Sequence, residues 1–292
     1  MYNIIGKRKI FLAISGVLIG LSILALILWG LKPGIDFTGG TMIELQFKNS
    51  APTRQEVLDK LKDLKLPDLN IQTSGENSWL LRIKEINQVT HQQILEKLGQ
   101  PEETRFETIG PTIGKELTNK ATWAIVLVNL AILAYIAWAF RRLSKIIKKG
   151  ESWLYAGGAI LALAHDVILM LGVFALMGHF RNFEINSTFI TAVLTVIGYS
   201  VNDTIVVYDR MRENFLTYGW KDFTGIVNRS LNETLVRSLN TTLTTLLALL
   251  AIFFFGGESI RDFIVAMMVG IATGAWSSIS IASTFLFLKK RT

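Results

Sequence analysis

Asp203 is the residue with the most chemistry to offer. It lies in Thr195–Asn214, TVIGYSVNDTIVVYDRMREN, a stretch that opens as an apolar helix. The carboxyl falls about five residues inside the expected end of a membrane span, where an ionised acid costs roughly 2.5–3.5 kcal/mol on insertion scales, less near the boundary. Helical spacing puts Asp203 on a face with Tyr199 and Ser200 on one side and Val207 and Arg210 on the other. Asn202 and Thr204 flank it with hydrogen-bonding groups, and Gly198 leaves room for a neighbouring helix. An acid so placed binds and releases a proton and changes partners as it does so, which is the chemistry of a proton-coupled machine.

A second pair, His165-Asp166 in LALAHDVILM, falls near the middle of another apolar run. Two adjacent ionisable groups there belong inside a bundle, either as hydrogen-bonded glue between helices or as a proton relay. Arg237 stands at the start of a later run, within about 7–8 Å of the depth of Asp203 by helical rise. It is a candidate counter-charge, with Thr241, Thr244 and Thr245 continuing its face; the alternative is an anchor at the lipid headgroups. Ala266, Gly270, Gly274, Ser278 and Ala282 recur every fourth residue and form a small-residue ridge, suited to an internal helix contact or to a seam with another subunit.

Other chemistries lack their residues. The chain has no cysteine, so it offers no disulfide, thiol nucleophile or cysteine-based metal site. Gly110-Pro-Thr-Ile-Gly114-Lys115-Glu116 is one residue short of a P-loop and carries Glu116 where magnesium needs Ser or Thr. No hydrolytic triad or HExxH pattern is present. The sequence calls for no cofactor and no metal, and any work is expected to draw on an ion gradient or a partner's ATPase rather than on an enzymatic centre.

The elements that must position these residues are membrane helices. Half of the 292 residues are hydrophobic and they come in long uninterrupted runs, as in a polytopic membrane protein. Spans are expected near Ile10–Leu31, Ala121–Phe140, Trp153–Met177, Asn186–Tyr208, Ser238–Phe255 and Phe263–Leu288. The first is too long for a secretory h-region and lacks a cleavage site, and its Gly16 and Gly20 suggest one small-residue contact. The net charge of +7 arises from short basic clusters beside apolar runs, a pattern of membrane orientation rather than of nucleic-acid binding. Lys7–Lys9, Arg141–Lys149, Asp209–Arg237 and Lys289–Arg291 place both termini in the cytoplasm, with cytoplasmic loops 141–152 and 209–237.

Between the first span (1–31) and the five-helix remainder (121–292) lies a hydrophilic block, 32–120, which the same rule puts outside. Thr41–Lys48, Leu69–Thr73, Trp79–Lys84 and Thr104–Ile109 read as strands, the middle two joined by Ser74-Gly75-Glu76-Asn77. Thr53–Leu64 and Val89–Leu98 read as helices. The order βαββαβ predicts a small ferredoxin-like α+β domain. Asp36, Gly39 and Gly40 read locally as a tight turn where the chain leaves the membrane.

Gly34-Ile-Asp36-Phe-Thr-Gly39-Gly40-Thr resembles the GIDFxGG motif of the SecD/SecF family of bacterial protein-export membrane proteins. Gly110-Pro111 with Gly114, His165-Asp166, Ile197–Thr204, Asp209-Arg210 with Arg212-Glu213-Asn214, and Ser259–Phe263 are similar to further motifs of that family, and the set resembles its SecF branch. The resemblance covers nearly the whole chain. It implies a six-helix half of an RND-superfamily transporter in the inner membrane. It further implies that this half acts with SecD beside the Sec translocon channel on a translocating preprotein, with protons driving late steps. It makes Asp203 and Arg237 the positions that match the family's proton pathway. A small-molecule or lipid exporter half and a non-transporting translocon scaffold are the alternatives. The first is weakened by an outer domain too small to enclose a tunnel, the second by the buried Asp203.

Overall fold

The computed structural model describes residues 1–48, 51–73, 77–139, 152–257 and 260–287. The basic cluster 141–149, most of the 74–77 turn, Ser259 and the tail 289–291 lie outside them. The chain forms two compact units, Pro33–Trp123 and a second made of Met1–Lys32 with Ala124–Thr292.

The smaller unit has the expected order of elements. A one-turn helix α2 (Ile35–Thr38) leads into β1 (Gly40–Gln46), α3 (Arg54–Leu61), β2 (Asn70–Thr73), β3 (Ser78–Ile83), α4 (Gln88–Lys97) and β4 (Glu102–Ile109). The strands pair antiparallel in the order β2-β3-β1-β4. Alternation decides which side is core: Ile43 and Leu45 of β1 and Trp79, Leu81 and Ile83 of β3 point inward against Val57, Leu61, Ile94 and Leu98 of the helices. Thr53 starts α3 with a capping box, accepting from the Glu56 amide at 3.3 Å while Glu56 accepts from the Thr53 amide at 3.0 Å.

The Asp36–Gly40 stretch is more than a turn. Gly39 and Gly40 have φ of 73° and 134°. A Cβ on Gly39 would meet the Pro111 backbone at 3.0 Å, and one on Gly40 the carbonyl of Ile83 at 2.9 Å. A Cβ on Gly114 would in turn fall 3.1 Å from the backbone of both Phe37 and Gly39. The two glycine motifs are therefore halves of one backbone-to-backbone contact within this unit, and Pro111 supplies the first helical residue of the next element. A Cβ on Gly110 would meet nothing within 4 Å, so the contact does not require a glycine there, although its carbonyl accepts from the Gly114 amide at 3.0 Å.

Among the described residues, six helices are long and apolar enough to cross a membrane. They are α1 (Arg8–Trp29, preceded by a 3-10 turn), α5 (Pro111–Ala139), α6 (Ser152–Arg181), α7 (Ser187–Tyr218), α8 (Phe223–Phe255) and α9 (Arg261–Ser277). The last continues through a π-helical turn (Ser278–Ala282) into a short α10 (Ser283–Phe285). Three of them, α6, α7 and α9, carry the buried core, whereas α5 is almost bare on this chain.

Two expectations are corrected. Gly16 and Gly20 face open space, and α1 instead packs through Ser15, Ser22 and Ala25, with Gly172 of α6 directly against Ser22. Segment 209–237 is not a loop. α7 runs on to Tyr218 and α8 begins at Phe223, so only a short turn separates them. Charged residues end the apolar run after Tyr208, but the buried positions continue at helical spacing. Val207, Met211, Asn214 and Phe215 face Ile226, Val227, Ser230 and Leu231 across the hairpin. Asp222 caps α8, and Phe215 stacks on Trp220 at 4.0 Å.

Candidate functional site

Asp203 sits on the side of α7 that faces α8, where Ser238 donates to its Oδ1 in a short hydrogen bond. Its other oxygen, Oδ2, is buried without a hydrogen-bond partner, with Ser278 of the π turn beside the carboxyl. Tyr199, one turn back, points the same way and reaches Thr245 of α8 at 3.4 Å. Ser200 and Thr204 point to the other side of α7, into the bundle, and both are buried.

His165 and Asp166 of α6 are almost wholly enclosed, at 2% and 1% exposure. That degree of burial excludes lipid contact. Asp166 joins three helices: Oδ1 lies 3.0 Å from His165 Nδ1, and Oδ2 accepts from Ser200 of α7 at 2.6 Å and Ser277 of α9 at 2.8 Å. His165 Nε2 is buried with no partner. Thr204 and Ser278 bond to each other at 2.9 Å, so hydroxyls lead from Asp203 back towards Asp166.

Arg237 stands next to Ser238 at an exposed position of α8. No ion pair joins it to Asp203 among the described residues; its charge acts on the carboxyl at longer range. Thr241, Thr244 and Thr245 return their hydroxyls to carbonyls of their own helix, at 2.7–2.8 Å, so the stripe costs no unsatisfied donors. Thr241 and Thr244 are exposed, as are Asn240 beside them and Thr191, Thr195, Gly198 and Asn202 on α7. Gly198 has nothing within 4 Å of where a side chain would begin.

The small-residue ridge proves internal. A Cβ on Gly270 would fall 2.3 Å from Val196 of α7, and one on Gly274 2.9 Å from Ser200. Close approach of α9 to α7 is what brings Ser277 to Asp166 and Ser278 to Asp203. At the far end Gly158 of α6 lets Tyr208 donate to the carbonyl of Ala282 at 2.9 Å. Arg210, expected on the Asp203 face, turns instead to Glu213 and Glu233 at 2.6 and 2.7 Å.

Sequence reasoning names Ser200 on the Asp203 face and Ser278 in the ridge without their bonds to the acids, and it misses Ser238 and Ser277 as donors. The available signal is weak: Ser277, Ser278 and Ser280 crowd one turn of a span, SSISIAS, with no turn residue to mark a break.

The arrangement defines a multi-pass membrane protein in which four packed helices, α6 to α9, supply two carboxyl groups and the hydroxyls that hold them. The family model "Protein export membrane protein SecD/SecF, C-terminal" matches residues 90–291 and "SecD/SecF GG Motif" residues 30–51. The chain belongs to the SecD/SecF protein-export family, in its SecF branch. It is 40% identical to protein translocase subunit SecF of Thermobaculum terrenum, over 98% of this chain and 93% of the relative. It is 37% identical to the SecF subunit of Anaerolinea thermophila, over 99% and 94%. Its fold matches the crystal structure of SecDF, a translocon-associated membrane protein from Thermus thermophilus. The TM-score is 0.84 and the identity 32%, over 97% of this chain but only 38% of that longer one. A super-membrane-facing form of SecDF matches with a TM-score of 0.68.

Proposed function

We propose that this chain works with a SecD partner to turn the proton motive force into late-stage movement of a preprotein across the inner membrane, with Asp203 as the titrating group. The observation that carries the reading is the half-satisfied carboxyl. Ser238 holds one oxygen, and the other is buried and free to take a proton or a new donor. Arg237 acts as counter-charge, and Asp166 with His165 forms a second proton-binding position deeper in the bundle. Both termini face the cytoplasm and the Pro33–Trp123 unit faces outward, in keeping with the basic clusters.

The partner assignment rests on surface chemistry. Asn202 of α7 and Asn240 of α8 carry polar side chains exposed on membrane helices, on α7 one turn from bare Gly198. Such a face suits protein rather than lipid. SecD covers it, and lipid takes the rest; the Sec channel and the preprotein lie beyond this contact.

Asp203→Asn tests the reading. The amide keeps the size and the Ser238 contact but cannot cycle a proton. A proton crossing about 100 mV releases roughly 2.3 kcal/mol, enough to bias a two-state bundle. In inverted vesicles with saturating ATP, the variant is expected to assemble and to lose the stimulation that a proton gradient gives. ATP-driven initiation stays intact, and Asp203→Glu retains part of the response. A wild-type response to the gradient by Asp203→Asn would reduce the residue to helix glue. Co-purification with export adaptors in place of SecD would instead favour a small-molecule exporter.

A further inference from the structure

The buried Asp166 and the half-buried Asp203 address consecutive residues of one helix. Ser277 donates to Asp166, and Ser278 lies beside Asp203. Both serines also reach a single backbone acceptor, the carbonyl of Gly274, at 3.1 and 2.9 Å, and the amide of Ser278 points to the same oxygen. Three donors thus crowd an atom with two lone pairs, while a serine hydroxyl has only one proton to give. Ser277 must divide its proton between Asp166 and Gly274. Ser278 has Gly274, Thr204 at 2.9 Å and the Asp203 carboxyl to choose among, while Oδ2 of Asp203 has no hydrogen-bond partner of its own.

We propose that Ser277 and Ser278 form a hydroxyl switch that sets the ionisation of Asp203 and Asp166 against each other. When Asp203 is ionised, Ser278 rotates to its free oxygen and leaves the Gly274 carbonyl. Ser277 then takes that carbonyl and releases Asp166, which has lost a donor and holds a proton more readily. When Asp203 is protonated, Ser278 returns to Gly274 and Ser277 to Asp166, whose charged form is now supported by both Ser200 and Ser277. The serines move no proton themselves; they are positioning residues. The oxygens stand so that Ser277 reaches both Asp166 and Gly274 while Ser278 reaches Gly274, so both states need only a turn of the hydroxyls. The π turn that begins at Ser278 widens the helix at this step, a device found at functional sites.

Among the described residues, the other ionisable groups at the two acids do not substitute for this link, and Tyr199 of α7 turns to Thr245 at 3.4 Å. Beside Asp203, α8 brings Arg237 and the hydroxyl of Ser238. Beside Asp166, α6 brings His165, while α1 carries Ser15 and Ser22 on its buried face and α9 contributes hydroxyls.

The proposal deepens the proton-coupling reading of Asp203, but its test does not depend on export. The full chain in lipid vesicles is titrated by infrared difference spectroscopy, with the carboxyl bands assigned through Asp166→Asn and Asp203→Asn. Asp203→Asn, a fixed neutral mimic, is expected to lower the protonation midpoint of Asp166 by about one pH unit, a tenfold change. With Ser278→Ala in the background that shift shrinks to a small remainder, and Ser278→Thr, which keeps a hydroxyl, restores it. Ser277→Ala breaks the same link from the other side and serves if Ser278→Ala does not fold. A shift of equal size without either hydroxyl means the acids feel each other only through space, and no shift means they are uncoupled; both overturn the switch. Normal gradient-driven export by Asp203→Asn would instead remove the proton-coupling reading and leave the infrared result standing.

Discussion

A carboxylate inside a bundle is tolerated only as far as donors or a counter-charge answer it, and the two acids here are answered differently. Asp166 has three partners; Asp203 has one and a distant arginine. The difference makes Asp203 the group that answers a proton first, with Asp166 following through the donors they share. It also decides what Arg237 can do. With no direct ion pair, its effect on Asp203 is one of charge rather than of hydrogen-bond geometry, so Arg237→Lys should preserve much of the gradient-driven export. Arg237→Met, of similar length but neutral, should lower it about tenfold or more, equivalent to about 1.4 kcal/mol, at unchanged abundance. Vesicle translocation with and without the gradient measures both, and equal export by Lys and Met variants would take Arg237 out of the mechanism. Asp203, Asp166 and His165 were legible in sequence because charge inside an apolar run is rare. Their serine partners were not, because serine is ordinary in membrane helices and its bonds are set by tertiary approach.

At the scale of elements, the α7–α9 contact is the device that assembles the site. Gly270 against Val196 leaves no room for a side chain, so Gly270→Leu should destabilise the bundle itself by at least about 1–3 kcal/mol. Loss of monodisperse material, even without a partner present, is the expected result in detergent. Tyr208→Phe is subtler. It leaves the buried carbonyl of Ala282 without its side-chain donor, a loss of roughly 1–3 kcal/mol. Thermal unfolding should register it while export at moderate temperature persists. The ferredoxin-like unit could be read in advance because turn, cap and alternation signals all agree there, Thr53 with Glu56 being the clearest. The helical hairpin 209–237 could not be read from hydropathy, which registers apolar content and stops at Asp209. The burial period through Met211, Asn214 and Phe215 shows the helix continuing. The π turn has no glycine or proline to announce it.

The whole molecule presents two kinds of glycine on membrane helices, and they separate folding from assembly. Gly270 is enclosed by the chain's own α7, whereas Gly198 lies on the opposite, uncovered side of that helix with nothing within 4 Å. The same substitution should therefore fail at different stages. Gly198→Leu adds a side chain into open space in the isolated chain, and leucine has the better helix propensity, so folding is expected to hold or improve slightly. Beside it stands Asn202, whose side-chain amide lipid cannot satisfy, on the face assigned to SecD; Thr195 returns its hydroxyl to the carbonyl of Thr191. A bulky residue there blocks close approach of a partner helix, which in membranes depends on small residues at the seam. Gly198→Leu should thus purify as a well-folded chain with an unchanged melting temperature but recover several-fold less SecD in co-purification. Asn202→Leu should show the same separation, through loss of an interhelical hydrogen bond worth about 1–2 kcal/mol at most. Wild-type recovery of SecD by Gly198→Leu would mean that this face of α7 meets lipid, and that the partner binds along α5 instead.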